Sequence, residues 1–399
     1  MEEWKTYKIS ELIEEISMGP FGSDITVNNF IDSGIPVLNG SNLQGLKLNE
    51  DNFRFISQEK ADSLGKANAH RGDVVITHRG TLGQIIYIPT DSKYDRYVIS
   101  QSQFRIRLNE NLVRSDFFVY FFHTVIGQHL ILMNASQVGV PALARPTSTF
   151  KKIRITIPPI ITQNQIMSVI NPLSEKLELN RKINDNLEQQ GQALFRVLYH
   201  PEYNKGLGYL NTVAYVNPSR SLKKGILARA IEMSDLSTTH SFPASWRMKE
   251  YNGGCKFING DTIMARITPC LENGKASYIN CLSDNEVAFG STEYIILSAK
   301  ENLPSELLYF LIRDNDFIKY AVSNMNGSSG RQRVSGDCIG NYLMPLPNEL
   351  FLKEFSEIFT SIMAKIKFNS EESIRLSSMR DSLLPKLMSG EIKMKSYEG

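Results

Sequence analysis

The chain has 399 residues, more than one ordinary core accommodates, so two or three domains are expected. Its 42% hydrophobic and 22% charged residues describe a globular protein, and no run approaches the roughly 18 uncharged apolar positions of a membrane span. A net charge of only +2 excludes a global basic excess, but cations cluster at Lys151, Lys152 and Arg154, at Arg220, Lys223, Lys224 and Arg229, and at Arg331 and Arg333.

Along the chain, Gly19-Pro20-Phe21-Gly22-Ser23-Asp24 forms a first loop that lets backbone approach a partner closely. Strands are expected at 73–76, 84–87 and 104–107, bounded by Gly, Pro, Asn and Asp, and a helix near 117–128. After Pro158-Pro159 a helical segment carries Ile166, Ile170, Leu173, Leu177, Asn180, Asn184, Leu187, Gly191 and Leu194 at alternating spacings of three and four, which is a heptad seam. Residues 200–225, with His200-Pro201 and then Gly206 and Gly208, read as a linker and the start of a second half. That half offers strands at 262–265 and 294–297, a helix near 306–320, and a second helical segment after Pro345-Leu346-Pro347.

The halves repeat. Gly72-Asp73 is answered by Gly260-Asp261 and Pro159 by Pro347, both at an offset of 188 residues. The seam recurs at an offset of 189 as Phe355, Ile362, Ile366, Asn369, Leu376 and Leu383, partners of Ile166, Leu173, Leu177, Asn180, Leu187 and Leu194. An asparagine is costly in such a seam but fixes register when it faces another, so Asn180 and Asn369 mark two helices that face each other. The expected fold is α+β: two mixed α/β domains separated by two long helices packed as an antiparallel coiled coil, with a pseudo-two-fold internal repeat. The segments are 1–158 and 210–347 for the domains, 159–199 and 348–392 for the helices and tail, and 200–225 for the linker and the start of the second repeat.

A catalytic centre is not legible. No phosphate loop with its lysine is present; Gly80-Thr81-Leu82-Gly83 and Gly327-Ser328-Ser329-Gly330 are glycine turns without it. The six histidines and four cysteines show no metal-ligand spacing, and Asn171-Pro172-Leu173-Ser174 lacks the second proline and aromatic of an adenine-methylating loop. Unpaired cysteines and the lack of a secretory pattern at the N-terminus point to the cytoplasm. What remains is loops rich in donors: Ser23; Thr77, His78 and Arg79; Ser136, Gln137 and Arg145; Arg266 and Lys275; Ser328, Ser329, Arg331, Gln332 and Arg333. Arg and Gln pair with base edges in the major groove, and Lys and Ser bind phosphates, so these are candidate DNA contacts. A non-DNA scaffold built on the coiled coil stays open as the alternative.

Gly19–Asp24, the Gly72-Asp73…Arg79-Gly80 element, the run from Asn259 to Lys275 and the ending Leu384-Pro385-Lys386-Leu387-Met388-Ser389-Gly390-Glu391-Ile392 resemble the specificity subunits of type I restriction–modification enzymes. The resemblance covers essentially the whole chain. It implies two target recognition domains, each reading half of a gapped double-stranded DNA site, with the helices as the ruler between them. It further implies a non-catalytic chain that binds no cofactor itself and docks modification subunits, two of them, which use S-adenosylmethionine to methylate adenine. Restriction subunits using ATP and magnesium for translocation would complete a phage-defence complex. Because Thr77–Gly83 differs from Ile267–Lys275, the two half-sites are expected to differ.

Overall fold

A computed structural model describes Trp4 to Met394 except Asn134, Gln137–Gly139, Asn302 and Ser329, and leaves the side chain of Ser136 undescribed. The chain divides into two compact units, residues 1–174 with 378–399, and residues 175–377.

In the first unit, strand Lys5–Lys8 pairs antiparallel with Arg154–Ile157, the last strand before the first long helix. A four-stranded sheet runs in the order Ile13–Met18, Gln103–Leu108, Val74–Thr77, Ile85–Tyr87. All four residues of Val74–Thr77 are buried, so this strand reads as a continuous apolar run rather than an alternation. Helix Ser115–His123 buries Phe117, Phe118, Phe121 and Phe122 in a core that also takes Ile166 and Ile170 from the first long helix and Leu384 and Leu387 from the second. A five-stranded sheet of two- and three-residue strands stands beside it, with Val37 paired parallel to Val98.

The second unit repeats this plan. Strand Asn204–Tyr209 pairs with Leu343–Pro347, a four-stranded sheet orders Ala214–Val216, Tyr294–Ala299, Thr262–Ala265 and Ala276–Tyr278, and Ala230 pairs parallel to Phe289 in the sheet beside it. Much of 200–225 is therefore not a connection. Strand Asn204–Tyr209, helix Leu210–Val213 and strand Ala214–Val216 reproduce Lys5–Lys8, Ile9–Leu12 and Ile13–Met18. Gly208 looked like a linker residue but sits in a strand where Leu346 occupies the space a Cβ would need.

The shared Gly-Asp motif is structural. Gly72 and Gly260 both have φ +86°, a left-handed conformation costly for other residues. Each following aspartate closes its turn by accepting the amide three residues back, His70 to Asp73 at 2.9 Å and Ile258 to Asp261 at 2.9 Å. Asp73 then pairs with Arg105 and Arg107 on the neighbouring strand. At the Asp261 site Arg220 takes over, and Ser298 occupies the register position of Arg107.

The long helices are Ile160–Val197 and Glu349–Met388, and both contain a proline, Pro172 and Pro385. Within the second unit they run antiparallel. The Asn180 amide donates to the Asn369 carbonyl at 3.3 Å and to Glu372 at 2.7 Å; further along, Asn184 reaches Ser370 at 3.1 Å. The side chain of Asn369 donates not to Asn180 but to Asn184, at 2.9 Å. The polar layer is thus a cluster of three asparagines, with Asn369 at its centre, rather than one facing pair. Ile166, Ile170, Ile362 and Ile366 are buried, whereas Leu173, Leu177, Leu187, Leu194, Phe355, Leu376 and Leu383 are half-buried. Leu187, Leu194 and Phe355 pack into the second unit's core and Leu383 into the first's.

Glu188, on the first long helix, accepts the Ser241 amide at 2.5 Å and lies near Tyr309 and Arg313. Burial raises its pKa above the ordinary carboxylate value, against the hydrogen bond to Ser241. A raised folded-state pKa means that its stabilising increment is complete below the unfolded value and is lost as pH rises through the folded one. Glu188→Gln is therefore expected to flatten the fall in the second unit's melting temperature as pH rises above the ordinary carboxylate value, read by thermal scans of the full chain. Parallel wild-type and variant curves would contradict it.

Candidate nucleic-acid interface

The candidate contacts scattered through the first half converge at one end of its four-stranded sheet, where Ile13–Met18 and Val74–Thr77 finish and Ile85–Tyr87 and Gln103–Leu108 begin. His78 donates its amide to Ser102 at 2.9 Å and accepts the Leu143 amide at 2.9 Å, and Gly80 donates to Pro141 at 2.9 Å. These bonds tie the 78–84 loop to the hairpin of Ala135–Ser136 and Ala142–Leu143. Gly19 donates to Gln103 at 2.9 Å and fastens the 19–24 loop to the same end.

The second unit repeats the bonds of His78 and Gly80. Arg266 donates to Glu293 at 3.0 Å and accepts from Val334 at 3.0 Å, and Thr268 donates to Gln332 at 3.1 Å. Isolated bridges Arg79–Ala142 and Ile267–Arg333 correspond in the same way. His78 is thus the counterpart of Arg266, Gly80 of Thr268 and Pro141 of Gln332. Two equivalent frames carry different side chains.

Within these frames the candidates separate into presented and structural groups. Arg79, Arg145 and Arg331 are exposed, and none of the three enters an ion pair among the described residues. Arg145 sits at φ +48° just before helix Pro146–Lys152, whose last turn adds Lys151 and Lys152. Ser23 and Ser328 are exposed on their loops. Three candidates have side chains committed within the fold. Thr77 is buried and its hydroxyl donates to Gln84 at 3.0 Å, so it reaches no partner outside the fold. Lys275 places its ammonium on the Met233 carbonyl at 2.7 Å. Arg333 forks onto Glu293 at 2.7 and 2.8 Å, holding that carboxyl below its ordinary range. Gln332 contributes its backbone carbonyl to the frame. Arg266 is half-buried, with a buried Nε that lacks a hydrogen-bond partner. Gln137 and Ser329, and the side chain of Ser136, lie outside the described residues.

His78 is half-buried with Nε2 3.1 Å from the Gln101 carbonyl, and burial pushes its pKa down, so the ring is neutral at physiological pH. Sequence reasoning missed Gln84, Gln101 and Glu293, which lock these loops through residues far apart in the chain. Their one sequence signal is a polar side chain one or two residues before a strand, shared by ordinary loop residues. Among the described residues no His, Cys, Asp and Glu cluster could hold a metal, and no helix is long and apolar enough to cross a membrane.

Residues 1–189 match the family described as the type I restriction modification DNA specificity domain. The chain is 23% identical to the type I restriction enzyme HindI specificity subunit of Haemophilus influenzae, across 98% of this chain and 100% of that one. It is 22% identical to the MjaIX specificity subunit of Methanocaldococcus jannaschii across 81% of this chain and 78% of that one. Its fold is that of the type I restriction–modification S subunit from M. genitalium, with a TM-score of 0.59 at 16% identity over 97% of this chain and 96% of that one. The family model over the first half, the full-length relative and the repeated fold agree in likening this chain to the specificity subunits of type I restriction–modification enzymes.

Proposed function

We propose that this chain reads a bipartite, gapped and asymmetric duplex target, one half through each sheet end, and that its long helices dock modification subunits. The observation that carries this reading is the repeated frame with unlike contents: His78, Arg79 and Gly80 in one unit against Arg266, Ile267 and Thr268 in the other. Equal backbone geometry supports a shared mode of docking, and different side chains support different base choices. Exposed Arg79, Arg145 and Arg331 supply charge for phosphates or guanine edges.

The helices leave apolar side chains uncovered, among them Leu179, Phe368 and Met379, each about half exposed, which suits packing by partner helices. Two modification subunits would bring S-adenosylmethionine, and restriction subunits would bring ATP and magnesium; this chain would bind none of these. Two linked readers gain affinity because the second contact forms at high effective concentration.

The test is co-expression with the modification subunit and long-read mapping of methylated adenines. A single gapped, two-part motif should appear with this chain present. Arg79→Ala and Arg331→Ala should each lower binding of the assembled complex roughly 10- to 100-fold, as loss of one base or phosphate contact does, and each should relax a different half. Should the complex form and methylate no gapped motif, the chain is a scaffold instead.

A further inference from the structure

Phe21 stands at the tip of the 19–24 loop with 83% of its surface exposed. An exposed phenylalanine forgoes the gain from burial, and this one is held out rather than left loose. Its amide donates to the Asp24 carboxylate at 2.8 Å, and the Asp24 amide returns to its carbonyl at 2.9 Å. On one side Gly19 lies so close under the Ser100 carbonyl that no Cβ fits; on the other Gly22 faces the carboxamide end of the Gln101 side chain. Gln101 in turn contacts His78 through its carbonyl, beside Arg79. The ring therefore projects from the sheet end that carries the first unit's free cations, and exposed Val140 is on the hairpin of that end.

Among the described residues the second unit has no counterpart. After strand Ala214–Val216 the chain turns back at Asn217, φ +51°, and Arg220 returns to Asp261 at the opposite end of strand Thr262–Ala265. The position equivalent to Val140 is Arg331, because Pro141 and Gln332 accept the equivalent bonds.

Resting on the reading that this end meets duplex DNA, we propose that Phe21 is an apolar wedge that enters between adjacent base pairs and unstacks one step, in one half-site only. Apolar side chains entering a base step unstack it and bend the duplex, and the energy of unstacking depends on the sequence being opened. Phe21 would thereby contribute specificity at a step where no base edge is hydrogen-bonded.

The test uses the full chain assembled with modification subunits on its mapped target, with 2-aminopurine placed in turn at each step of both half-sites. Wild type should raise fluorescence at one step of one half-site. Phe21→Ala should abolish that rise and weaken binding about 10- to 100-fold with an unchanged salt slope, since no phosphate contact is lost; Phe21→Trp should retain the rise. The exposed position should leave the melting temperature of the chain unchanged. Fluorescence that stays low at every step with wild type overturns the wedge, as does tight binding by Phe21→Ala. Loss of modification-subunit association in Phe21→Ala also overturns it, and makes the ring a protein contact. If Arg79→Ala also leaves binding intact, the failure belongs to the assignment of this end to DNA; if Arg79→Ala weakens binding while Phe21→Ala does not, the wedge alone fails.

Discussion

Asp73→Ala is expected to destabilise the first unit by roughly 3–5 kcal/mol, the usual cost of removing one partner from a buried ion pair. Asp73 is fully buried and accepts from the His70 amide at 2.9 Å, Arg105 Nη1 at 3.2 Å and Arg107 Nε at 3.0 Å. Arg105 is only 3% exposed and cannot turn to solvent. It would keep Glu15 at 3.0 Å and the Lys66 carbonyl at 2.9 Å, but one of its charged donors would be orphaned. The Arg107 contact adds little, since that side chain is 41% exposed.

Thermal scans of the full chain should show the first unit melting earlier by roughly 10 °C, given about 2–4 °C per kcal/mol for a unit of this size. Asp261→Ala should cost less. Arg220 is 23% exposed and can reach water, and burial already raises the Asp261 pKa despite its hydrogen bond from Ser298 and the nearby Arg220 charge. A melting shift for Asp73→Ala no larger than that for Asp261→Ala would refute the assignment of the strain to Arg105.

Phe310→Ala is the second large expected loss, about 3–5 kcal/mol from the second unit, as for other buried phenylalanines truncated to alanine. The ring is fully buried between Tyr309 and Phe359, with centroids 5.4 Å from each, and it presses on Gly191 of the first long helix. A Cβ at Gly191 would collide with that ring. Heptad spacing alone makes Gly191 a defect that leucine should repair; the packing makes Gly191→Leu destabilising by about 1–3 kcal/mol through overpacking. The two substitutions should therefore compensate in part when combined, because each fills or vacates the same volume. Thermal melting of the two single variants and the double variant measures this. Strict additivity would mean that the ring and the glycine do not share the site.

Both long helices were legible because a heptad pattern is local and repeated, and the repeat was legible because Gly-Asp and the proline pairs recur at fixed offsets. The short strands beside each main sheet were not. Ile35–Val37 and Arg96–Val98 are too brief to show alternation, and their parallel pairing joins residues some sixty positions apart. The first strand of the second half, Asn204–Tyr209, was hidden by Gly206 and Gly208, which look like linker residues until Leu346 is seen against Gly208. At the candidate interface, residue type identified donors but not their commitments. Arg331 and Arg333 look alike in sequence, yet Glu293, forty residues upstream of Arg333, claims only the second.

Each unit's first strand is hydrogen-bonded to its last, Lys5 to Ile157 in one and Asn204 to Pro347 in the other. Paired strands lie about 5 Å apart, so the chain enters and leaves each globular body at nearly the same point. Everything between these strands can then be exchanged as a cassette, by recombination or by engineering, while the long helices keep their own course. A lineage bearing such a chain could replace one globular body in one genetic step, leaving the surfaces of the long helices untouched.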